Sequence, residues 1–389
     1  MDPQQRLLLH AAYESFVDGG APPDLLADRS VGVFVGVSAI DYAALAQAAV
    51  MGNSLGISPY MGPAWSMSIA ANRISYCLDL EGPSVALDTA CSSSLVAFDQ
   101  AVTSVRAGVS SAALVAGVNV QLRRVWSDAF VTAGMLSPHS RCRFGDDAAD
   151  GYVRGEGVGA ALVMPLDLVP CEAAAFVYAL VAGGGVNQDG KSNGLTAPNP
   201  AAQASLLRRA YARIDRRETE YVEAHGTGTR LGDPIEISAL GQVLGSGYGA
   251  RGAAAATPEP RRAPLLTGSV KSNIGHLECA AGIASLVKAA QIASKLTIPR
   301  TIHVTVPNRL IDFDRLGVTL ALSETPLGVT TKLPHIGISG FGFGGTNAHA
   351  VLLSYEQERD TADAVLSRSS TYEKECARLG NVAHPGCEP

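Results

Sequence analysis

Short runs without Asp, Glu, Lys or Arg recur along this 389-residue chain at the length of a β-strand. They are Val31–Val37, Ala112–Val118, Ala160–Pro165, Ala175–Val181, Leu265–Val270, His335–Ser339 and Ala348–Ser354. A strand with no polar face must be covered on both sides, so these runs predict sheets buried between layers of helix. Helix-period segments supply those layers. They are Pro3–Val17, Ser66–Tyr76, the stretch from Cys91 to Gly108, Ala201–Ile214, Pro234–Leu244 and Leu277–Leu296. Strands alternating with helices give the α/β class. Shorter strands are read at Tyr221–Ala224 and Val318–Leu322, whereas Tyr42–Pro63 and Leu122–Ser140 read as largely irregular. The length suits two domains or one large duplicated one.

Other features narrow the function. A net charge of −6 gives no basic surface for nucleic acid, and the most apolar helical stretch, Cys279–Leu296, carries Lys288 and Lys295, which argues against a membrane span. The start, Met1-Asp-Pro-Gln-Gln-Arg6, is polar, unlike a signal peptide. The seven cysteines are scattered without a CxxC pair, which suits free thiols in a reducing, cytoplasmic setting.

Three strand ends deliver chemistry. Asp88-Thr-Ala-Cys-Ser-Ser-Ser-Leu95 places Cys91 where a strand gives way to a helix, and a helix N-terminus favours thiolate. Glu223-Ala-His225-Gly-Thr-Gly-Thr229 places His225 at the next strand end, and Lys271-Ser-Asn-Ile-Gly-His276 places His276 between a strand and a helix. A cysteine with two histidines at strand ends reads as a nucleophile with acid–base partners. Lys271 pairs with a carboxylate, biases the local potential, or is a solvated loop residue. Zinc-ligand spacings such as HExxH are absent, so no metal is expected. Gly340-Phe-Gly-Phe-Gly-Gly345 matches a dinucleotide fingerprint, but a strand rather than a helix follows. It reads better as a tight loop bringing backbone N–H groups to a reacting carbonyl. Gly226-Thr-Gly228 looks phosphate-like but lacks the P-loop Gly-Lys-Ser/Thr.

Together these segments resemble the β-ketoacyl synthase (ketosynthase) domains of type I polyketide synthases. The resemblance rests on Met1–Leu9, Asp88–Leu95, Ala133–Pro138, Asp150–Gly157, Val186–Pro198, Glu223–Glu236, Lys271–His276 and Gly340–His349, in family order and spanning nearly all of Met1 to Ser354. It implies a thiolase-like fold of five layers, αβαβα, in two similar halves: residues 1–168 with the nucleophile and 169–355 with the His/His/Lys site. A tail, 356–389, is expected to be poorly ordered. The resemblance implies that Cys91 accepts the acyl chain and that His225 and His276 promote decarboxylation of a malonyl-type thioester and stabilise its enolate. Lys271 matches the family's site lysine. Phe343 matches its gating phenylalanine, whose N–H joins that of Cys91 in an oxyanion hole. The reaction would be a decarboxylative Claisen condensation in polyketide or fatty acid elongation. Substrates would ride on the phosphopantetheine of an acyl carrier protein, with no cofactor bound by the chain itself. Other implied partners are an acyltransferase, further synthase domains, and a second copy in a homodimer.

The chain departs from the family's pattern in four places. The family's segment before the Met-Asp-Pro-Gln match, including a central strand of the first half, is absent. Phe144 stands one residue before the usual aromatic, Gly245–Pro264 is longer, and the tail does not resemble a linker to an acyltransferase. A thiolase would use a second cysteine in a C-terminal Gly-rich motif, and none is visible. Chain-length factors and decarboxylating loading domains replace the nucleophile, which Cys91 opposes. The alternative of another class is an inactive pseudo-ketosynthase serving as a structural or carrier-binding module.

Overall fold

A computed structural model describes residues 1–21, 28–53, 55–169, 176–245, 263–328 and 334–355. The expectations for the tail from residue 356 and for most of Gly245–Pro264 lie outside these residues.

The first half contains α1 (Pro3–Asp18), β1 (Val31–Gly36), α2 (Asp41–Met51), α3 (Met61–Trp65), α4 (Ser68–Leu78), β2 (Ser84–Leu87), α5 (Ser93–Arg106), β3 (Ala112–Asn119), α6 (Val125–Thr132) and β4 (Gly157–Val163). The second contains β5 (Ala179–Gln188), α7 (Pro200–Ala210), β6 (Thr219–Glu223), α8 (Gly232–Leu244), β7 (Leu265–Gly268), α9 (Lys271–Ile274) and α10 (Ala281–Lys295). It continues with β8 (Thr297–Ile298), α11 (Phe313–Leu316), β9 (Val318–Leu320), β10 (Thr325–Pro326), β11 (His335–Phe341) and β12 (Thr346–Ser354).

The first sheet runs β2-β1-β3-β4, parallel except for β4. The second runs β5-β12-β11-β6-β7-β9, and its core β7-β6-β11-β12 repeats the same order and the same single reversal. The two halves are therefore alike in topology. Helices α5 and α10 lie between the sheets in one apolar cluster with Phe34, Val115, Ile338 and Ala350. Helices α1 and α4 cover the outer face of the first sheet, and α7 and α8 cover that of the second. The five layers are αβαβα, as the resemblance implies.

Glycine sets the spacing of the middle layer. A Cβ on Gly282 of α10 would lie 2.6 Å from the backbone nitrogen of Leu95, so the two helices approach at backbone distance. Ser94 Oγ accepts the N–H of Ile283 at 2.9 Å in this contact. On the sheet side, a Cβ on Gly36 would lie 2.5 Å from Ser94 N.

Several sequence expectations need correction. β5 starts at Ala179 and runs through Gly183-Gly-Gly185 to Gln188, where the sequence predicts glycines and a turn. These glycines serve close approach: a Cβ on Gly184 would lie 2.9 Å from His349 O. Asp41–Met51 is a full helix, hidden from periodicity because it is apolar nearly all round, and Val125–Thr132 is helical within a stretch read as irregular. The centre of the first sheet is closed, because β1 pairs directly with β3 from Val31↔Ala112 to Gly36↔Gly117. Among the described residues the sheet ends at β2 and at β4, and the β4 edge borders a cleft of about 1640 Å³ shared with α1, α10 and β5. In the second half β5 pairs with the equivalent edge, that of β12.

Gly36→Ala is expected to destabilise the fold by about 2 kcal/mol, because the new methyl meets backbone that cannot yield. Gly344→Ala, with nothing within 4 Å of its Cβ, is the control and should change stability by less than about 0.5 kcal/mol. Urea denaturation of the two variants checks this.

Candidate active site

Parallel strands of both sheets point their C-terminal ends at one region, where α/β folds gather polar groups. Cys91 follows β2, His225 follows β6, and Lys271 to His276 follow β7 at the position equivalent to Cys91. The turn Gly342–Gly345 between β11 and β12 closes over them.

Cys91 lies in a single 3₁₀ turn, Ala90–Ser92, just ahead of α5. Ala90 has φ +57°, a left-handed conformation costing a non-glycine residue about 1 kcal/mol or more. The serines hold this elbow. Ser93 Oγ accepts Thr89 N–H at 2.9 Å and donates to Ala90 O at 2.6 Å, and Ser92 Oγ donates to Thr89 O at 2.9 Å. Asp88 Oδ1 accepts Ala90 N–H at 2.9 Å. In the sequence the three serines stand out only as part of a motif, and their bracing role emerges from these contacts.

The helix-start argument for a thiolate is overturned. Burial pushes the Cys91 thiol up to about 12, with Glu278 adding to the shift. Lys271 and the backbone N–H of Phe343, which donates to Cys91, oppose it without prevailing. The lone 3₁₀ turn leaves Cys91 ahead of α5 proper, and desolvation outweighs the dipole.

The two histidines are held alike. His225 Nδ1 accepts the N–H of Phe341 at 3.3 Å, and His276 Nδ1 accepts the N–H of Glu278 at 3.2 Å. An Nδ1 that accepts leaves the proton of a neutral ring on Nε2. Both rings are held neutral, their pKa values pushed well below the ordinary histidine value by burial and by Lys271. The rings meet edge to face at 5.5 Å and 88°, and Tyr152 packs on His276 at 5.0 Å. His276 Nε2 is buried without a hydrogen-bond partner among the described residues.

Cys91, His225 and His276 bring one ligand-type atom each within 4.8 Å of one another. That count would suit a metal ion, contrary to the spacing argument. The tautomers do not suit it, because a metal needs the Nε2 lone pairs and the two backbone N–H groups reserve Nδ1 as acceptor. The arrangement instead offers two N–H donors beside a thiol.

Acids behind this cluster were not apparent from the sequence motifs. Glu236 accepts the N–H groups of His225 and Gly226 at 2.7 and 2.9 Å. Asp233 accepts those of Gly145 and Gly228 at 2.9 and 3.1 Å. Burial pushes both acids up to about 7. The Gly-Thr-Gly amides are thus engaged by carboxylates, which leaves no phosphate cradle at this turn. The same bond accounts for Phe144-Gly145: Gly145 turns at φ +74° to reach Asp233 while Phe144 packs buried beside Gly226. The available signal was the acid pair three residues apart on one face of α8. Lys271 is buried, not solvated: burial lowers its pKa, and Glu223 and Glu236 pull it back up. Phe343 is half-exposed at the rim. Among the described residues Cys77, Cys91, Cys142 and Cys279 are free thiols, and no helix is long and apolar enough to cross a membrane.

A duplicated αβαβα scaffold with its polar cluster at the strand ends is the thiolase-like architecture. The chain belongs to the β-ketoacyl synthase family: residues 1–168 match the β-ketoacyl synthase N-terminal domain and residues 178–305 the C-terminal domain. It is 45% identical over 369 residues to a phenolphthiocerol/phthiocerol polyketide synthase of Mycobacterium tuberculosis, a match that covers 94% of this chain and 19% of that protein. It is 40% identical over 371 residues to the highly reducing polyketide synthase PKS6 of Gibberella zeae, covering 94% of this chain and 13% of that one. The chain thus spans less than a fifth of the length of these relatives. Among solved structures, the ketosynthase from module 6 of the bacillaene synthase of Bacillus subtilis 168 superposes with a TM-score of 0.79 at 32% identity, over 98% of this chain and 66% of that one. An oxazolomycin ketosynthase domain of Streptomyces albus JA3453 gives 0.81 at 32%, over 99% and 68%. The resemblance to type I polyketide synthase ketosynthases is borne out.

A thiol held up at about 12 ionises in proportion to hydroxide. Between about pH 6 and 8 alkylation of Cys91 by iodoacetamide is therefore expected to quicken about tenfold per unit. Peptide mapping of the labelled protein measures it, and a plateau in that range would contradict the protonated resting state.

Proposed function

We propose that the chain catalyses a decarboxylative Claisen condensation between an acyl group on Cys91 and a malonyl-type thioester carried by an acyl carrier protein. The observation that carries this reading is the pair of Nε2–H donors beside the Cys91 sulfur, each fixed by a backbone N–H on Nδ1.

Thioester exchange comes first. Cys91 attacks the carrier's acyl thioester, the S–C bond to pantetheine breaks, and the thiol proton ends on the departing pantetheine sulfur. The N–H groups of Cys91 and Phe343 receive the transient oxyanion. The extender's thioester carbonyl then accepts from His225 and His276. Loss of carbon dioxide leaves the electron pair in an enolate, whose charge develops where the two donors already point. Depressed pKa values keep both imidazoles neutral, so each remains a single-proton donor near neutrality. Lys271 adds positive potential without being consumed. The enolate carbon attacks the Cys91 thioester carbonyl, the bond to sulfur breaks, and Cys91 leaves as thiolate and regains a proton from solvent. The product is a β-ketoacyl thioester on the carrier. Partner acyltransferase and carrier domains and homodimer assembly belong to this reading.

His276→Ala is expected to retain acylation of Cys91 from an acyl thioester and to lose condensation by about 10²-fold or more, the scale for one lost oxyanion donor. Mass spectrometry of the loaded protein and product assay separate the steps. Lost acylation with intact decarboxylation would contradict these roles, and an unaltered protein that loads no acyl group would favour the inert module.

A further inference from the structure

Glu223, the last residue of β6, has a fully buried side chain two residues before His225. Oε1 accepts the N–H of Val270, the neighbour of Lys271, at 2.6 Å. Oε2 accepts the hydroxyl of Tyr221 at 2.7 Å and pairs with Lys288 Nζ at 2.6 Å. Lys288 also donates to the Tyr221 hydroxyl at 2.9 Å. Donors on both oxygens of this buried carboxyl group fix it in place. It binds three segments: the strand leading to His225, the turn that starts Lys271, and α10, whose first turn is docked on Ser94 beside Cys91.

Resting on the condensation reading, we propose that Glu223 is a positioning residue that locks the Lys271 turn to the His225 strand and supplies the counter-charge keeping Lys271 protonated. Lys288 tempers that charge from α10. The other titratable groups bearing on Lys271 are Glu236 from α8, Cys91 from the elbow, Cys142 from the loop after α6, and the two imidazoles. Glu236 alone would leave the ammonium groups of buried Lys271 and part-buried Lys288 against one carboxylate.

Two substitutions then act in opposite senses. Glu223→Gln keeps an acceptor for Val270 but removes the negative charge, so Lys271 gives up its proton at lower pH. Lys288→Met removes the positive charge, so Lys271 keeps its proton to higher pH. The readouts are the alkaline limb of condensation and the alkaline break in the Cys91 alkylation profile, where loss of the Lys271 charge disfavours the thiolate. Glu223→Gln should move both down, and Lys288→Met both up, by about half a pH unit or more, with the double variant near the parent. Condensation by Glu223→Gln at neutral pH should fall about tenfold while Cys91 acylation changes less than about twofold. Loss of folding alone would not produce opposed shifts. Shifts of one sign, or folded variants with parental profiles, would overturn the proposal. Should Glu223→Gln not fold, Lys288→Met and the double variant decide by the same criterion. If the unaltered protein alkylates but does not condense, the functional reading fails, and the alkylation profiles still decide the role of Glu223.

Discussion

The contact between α5 and α10 fixes everything that lies around it. It forms the layer shared by both sheets, and it is set by Gly282 lying against the backbone of Leu95 and by Ser94 accepting the amide of Ile283 at the start of α10. Each helix begins beyond the end of a strand in its own sheet. Pressing the two helices together therefore brings the ends of β2 and β7 to one place, and with them Cys91 and His276. A duplicated topology makes this economical: the same strand order used twice yields two equivalent strand ends facing one another. The elbow at Ala90 is strained, and it survives because the serines and Asp88 bind the amides and carbonyls of Thr89 and Ala90 that would otherwise let it relax.

Charge in the site follows from a competition. Three groups that could be cationic, His225, His276 and Lys271, share one buried volume, and all three cannot be charged there. Burial disfavours the charge on each. Lys271 alone has carboxylates, Glu223 and Glu236, raising its pKa again. The imidazoles receive only repulsion, from Lys271 on both, from His276 on His225 and from Arg154 on His276. The outcome is one cation and two neutral donors. Arg154 is kept from adding a second free charge by its two-pronged pairing with Glu278.

The layers were legible in the sequence because a strand buried on both faces must omit charge, and Val31–Gly36 and Ala112–Asn119 do so without interruption. Cys91, His225, His276 and Lys271 were legible because each stands at a strand end in a polar turn. What stayed hidden depends on contacts between distant segments. Nothing near Glu223 announces that its partners are Val270 and Lys288, and nothing near Gly145 announces Asp233 of α8. Glycine misled in β5, where it marks crowding against β12 rather than a turn. The thiol misled as well, since a helix dipole can be inferred from sequence and desolvation cannot.

The protonated thiol bears directly on the chemistry. A thiol near 12 is almost wholly protonated at neutral pH, which looks wrong for a nucleophile. Yet intrinsic sulfur nucleophilicity rises with pKa, so the small thiolate fraction is the more reactive one. Protonation also leaves the resting sulfur less open to solvent electrophiles and oxidants, which act on thiolates. On the proposed reaction, the charge that desolvation penalises on sulfur passes at once to the carbonyl oxygen, where backbone N–H groups already wait. Burial then costs little in the transition state and much in the idle thiolate, and that difference separates a selective acyl acceptor from an indiscriminately reactive cysteine.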